Sequence, residues 1–298
     1  MKLLSDFDGV WTTPDEEGVA NGAALDAALE GVLGEADRAA VRAWVAHARA
    51  AVRAEPWRWG WGTSGRISAF ADEDPFTAHG ALLFYLDAAR GTDPLAARLA
   101  DAIERRDGSL GAFGGKAHTD GVKAVEERRG PAITEGAARA GHELLARGVE
   151  VVVVSNSGTD KLKRSFSHAR LPYRVHPEHA DGALRLRGSA KKFVLDAAGA
   201  DVFDAGGLKV DVARPHYESV LREERPDAIV GDVFSLDIAL PLALKRRVPG
   251  WRNVRLFWLV QPYTPDRVRM ALASLPNGDV EIVEGGLPGV ADRLSKGV

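Results

Sequence analysis

The chain has no cysteine among its 298 residues. Disulfides are therefore excluded, and so are thiolate metal sites. No apolar run approaches the roughly 18 residues of a membrane-spanning helix. An excess of charge is lacking as well: 39 Lys and Arg stand against 42 Asp and Glu, a formal net charge of −3. That balance gives no electrostatic footprint for nucleic acid and none for an anionic membrane. Asp6 comes too early for a signal peptide, so the expectation is a cytoplasmic protein. Internal repeats and low-complexity segments are absent. What is present is 45% apolar residues, enough for one large or two ordinary domains with a sizeable core.

The patterning changes along the chain. From about 20 to 130 it is helical. Residues 35–54 place Val41, Trp44, Val45, Ala48 and Val52 on one side at helical spacing, and Pro56 ends the run. Helices are expected over 76–90 and 93–106, the second with Asp93 as N-cap and Pro94 in the first turn. The run 111–115 reads as a glycine-rich loop and 118–129 as a further helix. No strand alternation appears, which predicts an all-helical insert. After Gly130-Pro131 the pattern becomes alternating. A helix over 133–147 ends at Gly148 and leads to Val151-Val152-Val153-Val154, apolar on both faces as a buried parallel strand should be. Weaker strands are expected at 173–176 and 183–187, a helix at 191–198, and a helix at 216–224. Further strands are expected at 227–230, 254–260 and 280–283. Strands alternating with helices predict a parallel sheet covered on both faces.

Three stretches carry candidate chemistry. The first is Asp6-Phe7-Asp8-Gly9-Val10, directly after a short apolar run. Open α/β sheets place ligands at the carboxyl ends of their strands. Two acids this close repel unless a cation joins them or one takes a proton. Hard oxygen ligands supplied by a few carboxylates suit Mg²⁺, and a carboxylate can also act as a nucleophile on phosphorus. The second stretch is Val154-Ser155-Asn156, a strand end followed by a helix start, where free N–H groups and the helix dipole favour an anion. The third is Gly231-Asp232 with Asp237 five residues on. Each has a plainer reading: an acidic turn, an ordinary strand–turn–helix, and two helix caps.

In this order, each after an apolar strand, the three stretches resemble the haloacid dehalogenase (HAD) superfamily, and within it the Mg²⁺-dependent phosphatases with a first-type helical cap. The resemblance covers residues 1–13 and roughly 132–260. It implies a Rossmann-like parallel-sheet core built from 1–13 and 132–298, with 14–131 inserted as the cap. By position, Asp6 would be the nucleophile and Asp8 the general acid/base. Asp6, Asp232 and the backbone carbonyl of Asp8 would hold Mg²⁺, with Asp237 orienting the site or joining the ligands. Ser155, helped by Asn156, would hold the phosphoryl group. The family expects a lysine before the helix that leads to the last acidic strand. Arg214-Pro215 stands there, so Arg214 is the expected catalytic and phosphate-binding cation, with Lys209, Lys191 and Lys192 as rivals. The dehalogenase branch typically lacks an acid at Asp8's place.

The implied activity is hydrolysis of a small phosphorylated metabolite. A phosphotransferase or mutase on the same scaffold, or a binding protein that keeps the fold without catalysis, are the alternatives. Within the insert, Trp57, Trp59 and Trp61 could offer a stacking surface beside Arg58 or Arg66, or could pin helices together. Lys116 reads as a solvated loop lysine or a residue reaching the site. His176-Pro177-Glu178-His179 has metal-ligand residue types and reads more simply as surface.

Overall fold

The computed structural model describes residues 1–63, 65–131 and 133–295. The chain divides into two compact units. One joins Met1–Thr13 to the chain from Pro131 onward, and the other is Pro14–Gly130.

In chain order the elements are β1 Lys2–Ser5, α1 Asp15–Glu30, α2 Arg38–Ala54, β2 Gly60–Thr63, β3 Arg66–Phe70, α3 Thr77–Ala89, α4 Pro94–Asp107 and α5 Leu110–Arg129. Then come α6 Glu135–Ala146, β4 Glu150–Val154, α7 Thr159–His168, β5 Tyr173–Val175, β6 Leu184–Arg187, β7 Val202–Ala205, β8 Leu208–Asp211 and α8 Pro215–Glu224. The last are β9 Ala228–Gly231, α9 Ala239–Arg247, β10 Arg255–Leu259, α10 Asp266–Ala273, β11 Glu281–Val283 and α11 Gly286–Ser295. Among the described residues no helix is long and apolar enough to cross a membrane.

The first unit is α/β. Seven strands form one sheet in the order β11-β10-β9-β1-β4-β6-β5, and every neighbouring pair is parallel. Leu3, Val151, Val153, Val230 and Phe257 turn to one face, where they share a core with Leu162 and Phe166 of α7 and Leu287 of α11. The intervening Leu4, Val152, Val154, Ile229 and Trp258 are equally buried. Burial on both faces is why these strands read as continuous apolar runs. The register sets Ser5 opposite both Val153 and Val230, so the carboxyl ends of β4, β1 and β9 finish side by side. The order reverses around β1, the switch point where such sheets bind ligands.

The second unit is mostly helical, and the structure corrects two readings of it. It is not all helix: β2 and β3 pair antiparallel, with a register shift between Trp61 and Gly62. Glycine hides this hairpin in the sequence. A Cβ on Gly60 would stand 1.7 Å from the carbonyl oxygen of Ala69, and one on Gly62 1.9 Å from that of Arg66. The run 111–115 is not a loop but the first turns of α5, started by Ser109, whose hydroxyl accepts from Ala112 N at 3.0 Å. A Cβ on Gly114 would come within 2.5 Å of Leu83 Cδ1, so glycine lets α5 approach α3 closely.

In the first unit, 191–198 is irregular rather than helical. Its start is tied to the turn after β4: Ala190 N, just before it, donates to Ser155 O at 2.9 Å and Lys192 N to Asn156 Oδ1 at 2.8 Å, while Asp196 N donates to Ala213 O at 2.7 Å. The hairpin β7–β8 was not anticipated either.

Candidate active site

Asp6 continues β1, its N–H donating to Val230 O at 2.9 Å, so β9 sets where its side chain begins. Asp232 directly follows β9. Asp237 sits on a π-helical turn, Phe234–Ile238, that folds back over the strand end. Two glycines make this packing possible. A Cβ on Gly231 would lie 2.4 Å from Asp237 Cβ, and one on Gly9 2.1 Å from Asp232 Oδ2. Gly9 also has φ +79°, a conformation that favours glycine. Asp6, Asp232 and Asp237 are all buried and can each offer an oxygen within 4.8 Å of the others.

The cation bonded to this cluster is Lys192. Its Nζ donates to Asp6 Oδ1 at 2.5 Å and to Asp237 Oδ1 at 2.9 Å. Arg214, the residue expected in that role, is fully buried but turned elsewhere. Its guanidinium donates to the carbonyls of Asp211 (3.1 Å), Leu236 (2.9 Å) and Ser235 (2.6 Å). Two of those carbonyls belong to the π-helical turn, and Tyr217 Oη donates to a third there, Asp237 O, at 2.9 Å. Arg214 thus props the turn that presents Asp237, while the ammonium bonded to Asp6 and Asp237 comes from the irregular segment before β7. Lys191 and Lys209 are exposed.

Burial first, then the neighbouring charge of Asp237, pushes the Asp6 carboxyl up to about 8, against the opposing pull of Lys192. Burial also disfavours the charge of Lys192, but Asp237 and Asp6 outweigh it and hold the ammonium above the ordinary lysine value. Three buried carboxylates meet here, and the Lys192 ammonium bonds two of them, Asp6 and Asp237. A nucleophilic Asp6 must be ionised, which calls for a further cation. All the donors are hard carboxylate oxygens, the set that suits Mg²⁺, so these residues fit that ion.

The side chain of Asp8 has other partners. Its Oδ2 accepts from Ser157 Oγ at 2.8 Å and its Oδ1 from Lys161 Nζ at 3.0 Å. Neither Ser157 nor Lys161 was singled out in the sequence. Ser157 follows the Ser155-Asn156 pair and Lys161 lies one turn into α7, so the N-cap spacing was the available signal. Ser155 is buried and its Oγ accepts from Ser157 N at 3.0 Å, which still leaves the hydroxyl proton to donate. Asn156 turns its side-chain oxygen to Lys192 N, so it seats the lysine's backbone.

No family model and no curated protein matches the chain. Its solved neighbours are haloacid dehalogenase-like hydrolases. One, a haloacid dehalogenase-like family hydrolase from Xanthomonas campestris, is 13% identical with a TM-score of 0.44, covering 99% of this chain and 95% of that one. A 2-haloacid dehalogenase from Pseudomonas syringae pv. Tomato DC3000 is 16% identical with a TM-score of 0.42, covering 100% and 99%. The HAD-hydrolase YfnB from Bacillus subtilis, bound to magnesium, is 13% identical with a TM-score of 0.36, covering 91% and 98%. At these identities the role of each residue rests on this chain's own geometry.

His176 Nε2 is 3.5 Å from Glu223 and His179 Nε2 is 3.5 Å from Glu150. His176, Glu223 and Glu224 have metal-ligand types, but guanidinium groups already hold the carboxylates: Arg187 bonds Glu224 at 2.8 Å and Glu223 at 2.6 Å, and Arg185 bonds Glu224. This is an ion-pair network. In the insert, Trp59 is buried and meets Tyr85 edge-on at 4.8 Å, a pinning role, whereas Trp57 is exposed. Trp61 Nε1 lies where a Cβ on Gly80 would be, 1.9 Å away. Lys116 is exposed on α5.

Proposed function

We propose that the chain is a HAD phosphohydrolase that cleaves a small phosphate monoester through an aspartyl-phosphate on Asp6, with Mg²⁺ as cofactor. The observation that carries this reading is the buried meeting of Asp6, Asp232 and Asp237 with the Lys192 ammonium at the carboxyl ends of adjacent parallel strands. Phosphoryl transfer needs in-line positioning and neutralisation of charge above all, and this cluster offers both a carboxylate nucleophile and fixed positive charge.

In the first step Asp6 attacks phosphorus and the bond to the leaving oxygen breaks, with Asp8 giving that oxygen a proton. In the second, water attacks the phosphorus, Asp8 takes its proton, and the bond to Asp6 breaks. Proton transfer of this kind contributes roughly 10²–10⁴-fold. Ser157 and Lys161 hold the Asp8 carboxylate in place between the steps. Ser155 donates to a phosphoryl oxygen, and Lys192 pulls Asp6 toward its ionised form and shares the charge of the transferring group. Asp6, Asp232, Asp237 and the main-chain carbonyl of Asp8 would hold Mg²⁺, which would supply Lewis-acid charge to the phosphoryl oxygens.

The presence of Asp8 favours this reading over a dehalogenase, whose leaving halide needs no proton. Rapid acid quench with a labelled phosphate monoester tests it. Label should attach to wild type through a hydroxylamine-sensitive acyl bond and not to Asp6→Asn. Turnover without such a bond would remove Asp6 as nucleophile. Product analysis with added alcohols separates hydrolysis from transfer to a second hydroxyl.

A further inference from the structure

The segment after β10, Gln261-Pro262-Tyr263-Thr264-Pro265, has no motif in the sequence, yet it meets the candidate metal site at two points. Tyr263 Oη donates to Asp232 Oδ2 at 2.7 Å. Gln261 Nε2 donates to the carbonyl oxygen of Gly9 at 2.5 Å. These two targets touch each other, since the Asp232 carboxylate is packed against Gly9, where a Cβ would come within 2.1 Å of Oδ2. Asp232 Oδ2 is therefore seated against Gly9 and also accepts from a phenol hydroxyl. The Gly9 backbone is in turn held from β10's loop.

The loop is built to keep that geometry. Gln261 N donates to Thr264 Oγ1 at 2.9 Å, and Thr264 N donates back to Gln261 O at 3.0 Å. Pro262 and Pro265 fix two further φ angles. Upstream, Val260 N extends the β10–β11 ladder by donating to Val283 O at 2.9 Å. The distance from the Tyr263 hydroxyl to the carboxylate is that of a charge-assisted bond.

We propose that Tyr263 and Gln261 are positioning residues for the metal: Tyr263 fixes the rotation of the Asp232 carboxylate, and Gln261 fixes the Gly9 backbone against which that carboxylate is seated. This rests on the reading of Asp6, Asp232 and Asp237 as the Mg²⁺ ligands. Groups that orient a ligand carboxylate cost 10–100-fold in metal affinity when removed. Neither residue is needed for the chemistry itself, so the defect belongs in metal affinity and not in the reaction at saturating metal.

The test is calorimetric titration of the full metal-free chain with Mg²⁺, for wild type, Tyr263→Phe and Gln261→Leu, beside the Tm of each without metal. The expected result is a Kd for Mg²⁺ raised by roughly 10–100-fold in Tyr263→Phe, an unchanged metal-free Tm, and a kcat on an aryl phosphate restored by excess Mg²⁺ with KM unaltered. Should Tyr263→Phe lower the metal-free Tm, Gln261→Leu carries the same comparison through the Gly9 backbone. Wild-type Mg²⁺ affinity in both variants would overturn the proposal and leave the phosphohydrolase reading standing. A wild-type chain that binds no Mg²⁺ would overturn the metal assignment and this proposal with it.

Discussion

Lys192 and Arg214 show what a buried cation does when its partners differ. Lys192 faces two carboxylates, and its removal leaves like charges together in a dry place. Lys192→Ala should lower metal-free stability by about 3–5 kcal/mol, the usual cost of breaking a buried pair from one side. It should also lower kcat by roughly 10²–10³-fold at saturating Mg²⁺, as expected for losing a donor that meets developing charge. Urea unfolding and steady-state kinetics read the two effects separately, and wild-type turnover in this variant would remove Lys192 from the site. Arg214 faces carbonyls, so its work is to hold the turn under Asp237. The sequence made Asp6, Asp8, Ser155 and Asp232 legible because each stands at the end of an apolar strand. It did not separate Lys192 from Arg214, because Lys192 lies in a segment whose path is set by Asn156 and Ser155, far away in sequence. Proline after Arg214 marked a helix start, and that is what it is: Pro215 opens α8.

At the scale of elements, the insert depends on helices that approach closely. Gly121 of α5 lies against α1, where a Cβ would stand 2.1 Å from Asn21 Oδ1 and 2.7 Å from its Cα. Because backbone is involved, the clash is not relieved by turning a side chain. Gly121→Ala should therefore cost about 1–3 kcal/mol as overpacking, although alanine is the better helix former in isolation. A stabilised variant in urea unfolding would show that α1 and α5 stand further apart. His79 of α3 adds a pH dependence. Burial holds its pKa below the ordinary value, against the bond its Nε2 donates to Gly18 O at 2.7 Å. The folded insert keeps this ring neutral while the unfolded chain takes a proton below its pKa of 6.5. Stability is thus unaffected by His79 well above that value and is lost as pH falls through it. Thermal unfolding followed down through the weakly acidic range should show wild type losing more stability than His79→Gln. Parallel curves would place the ring in contact with water. Helices α2, α3 and α4 were legible in the sequence, whereas α1 as a distinct helix, the β2–β3 hairpin and the first turns of α5 were not. In the hairpin and in α5, glycine is present for close approach, which the local pattern registers only as a break.

For the molecule as a whole, the site is a product of parallel topology. Four neighbouring strands, β10, β9, β1 and β4, deliver Gln261 and Tyr263, Asp232, Asp6 and Ser155 to one edge of the sheet. Residues 1–13 and the chain from 131 onward come together in one unit although 117 residues of the other unit, Pro14–Gly130, intervene. Trp11 O accepts from Thr134 N at 2.9 Å, which brings the two sides of that interruption to one place. The alternation of apolar runs and helices carried the parallel sheet, because strands buried on both faces leave a continuous signature. The edge strand β5 and the strand β7 carried less, having few buried positions each. The central proposal is a metal-assisted carboxylate nucleophile, Asp6, in the middle of that edge. Its most direct test is hydrolysis of an aryl phosphate by wild type and Asp6→Asn, each with Mg²⁺ and with EDTA. Wild type should turn over with Mg²⁺ and not in EDTA, and Asp6→Asn should not turn over under either condition. Turnover that survives in EDTA, or in Asp6→Asn, would contradict the proposal.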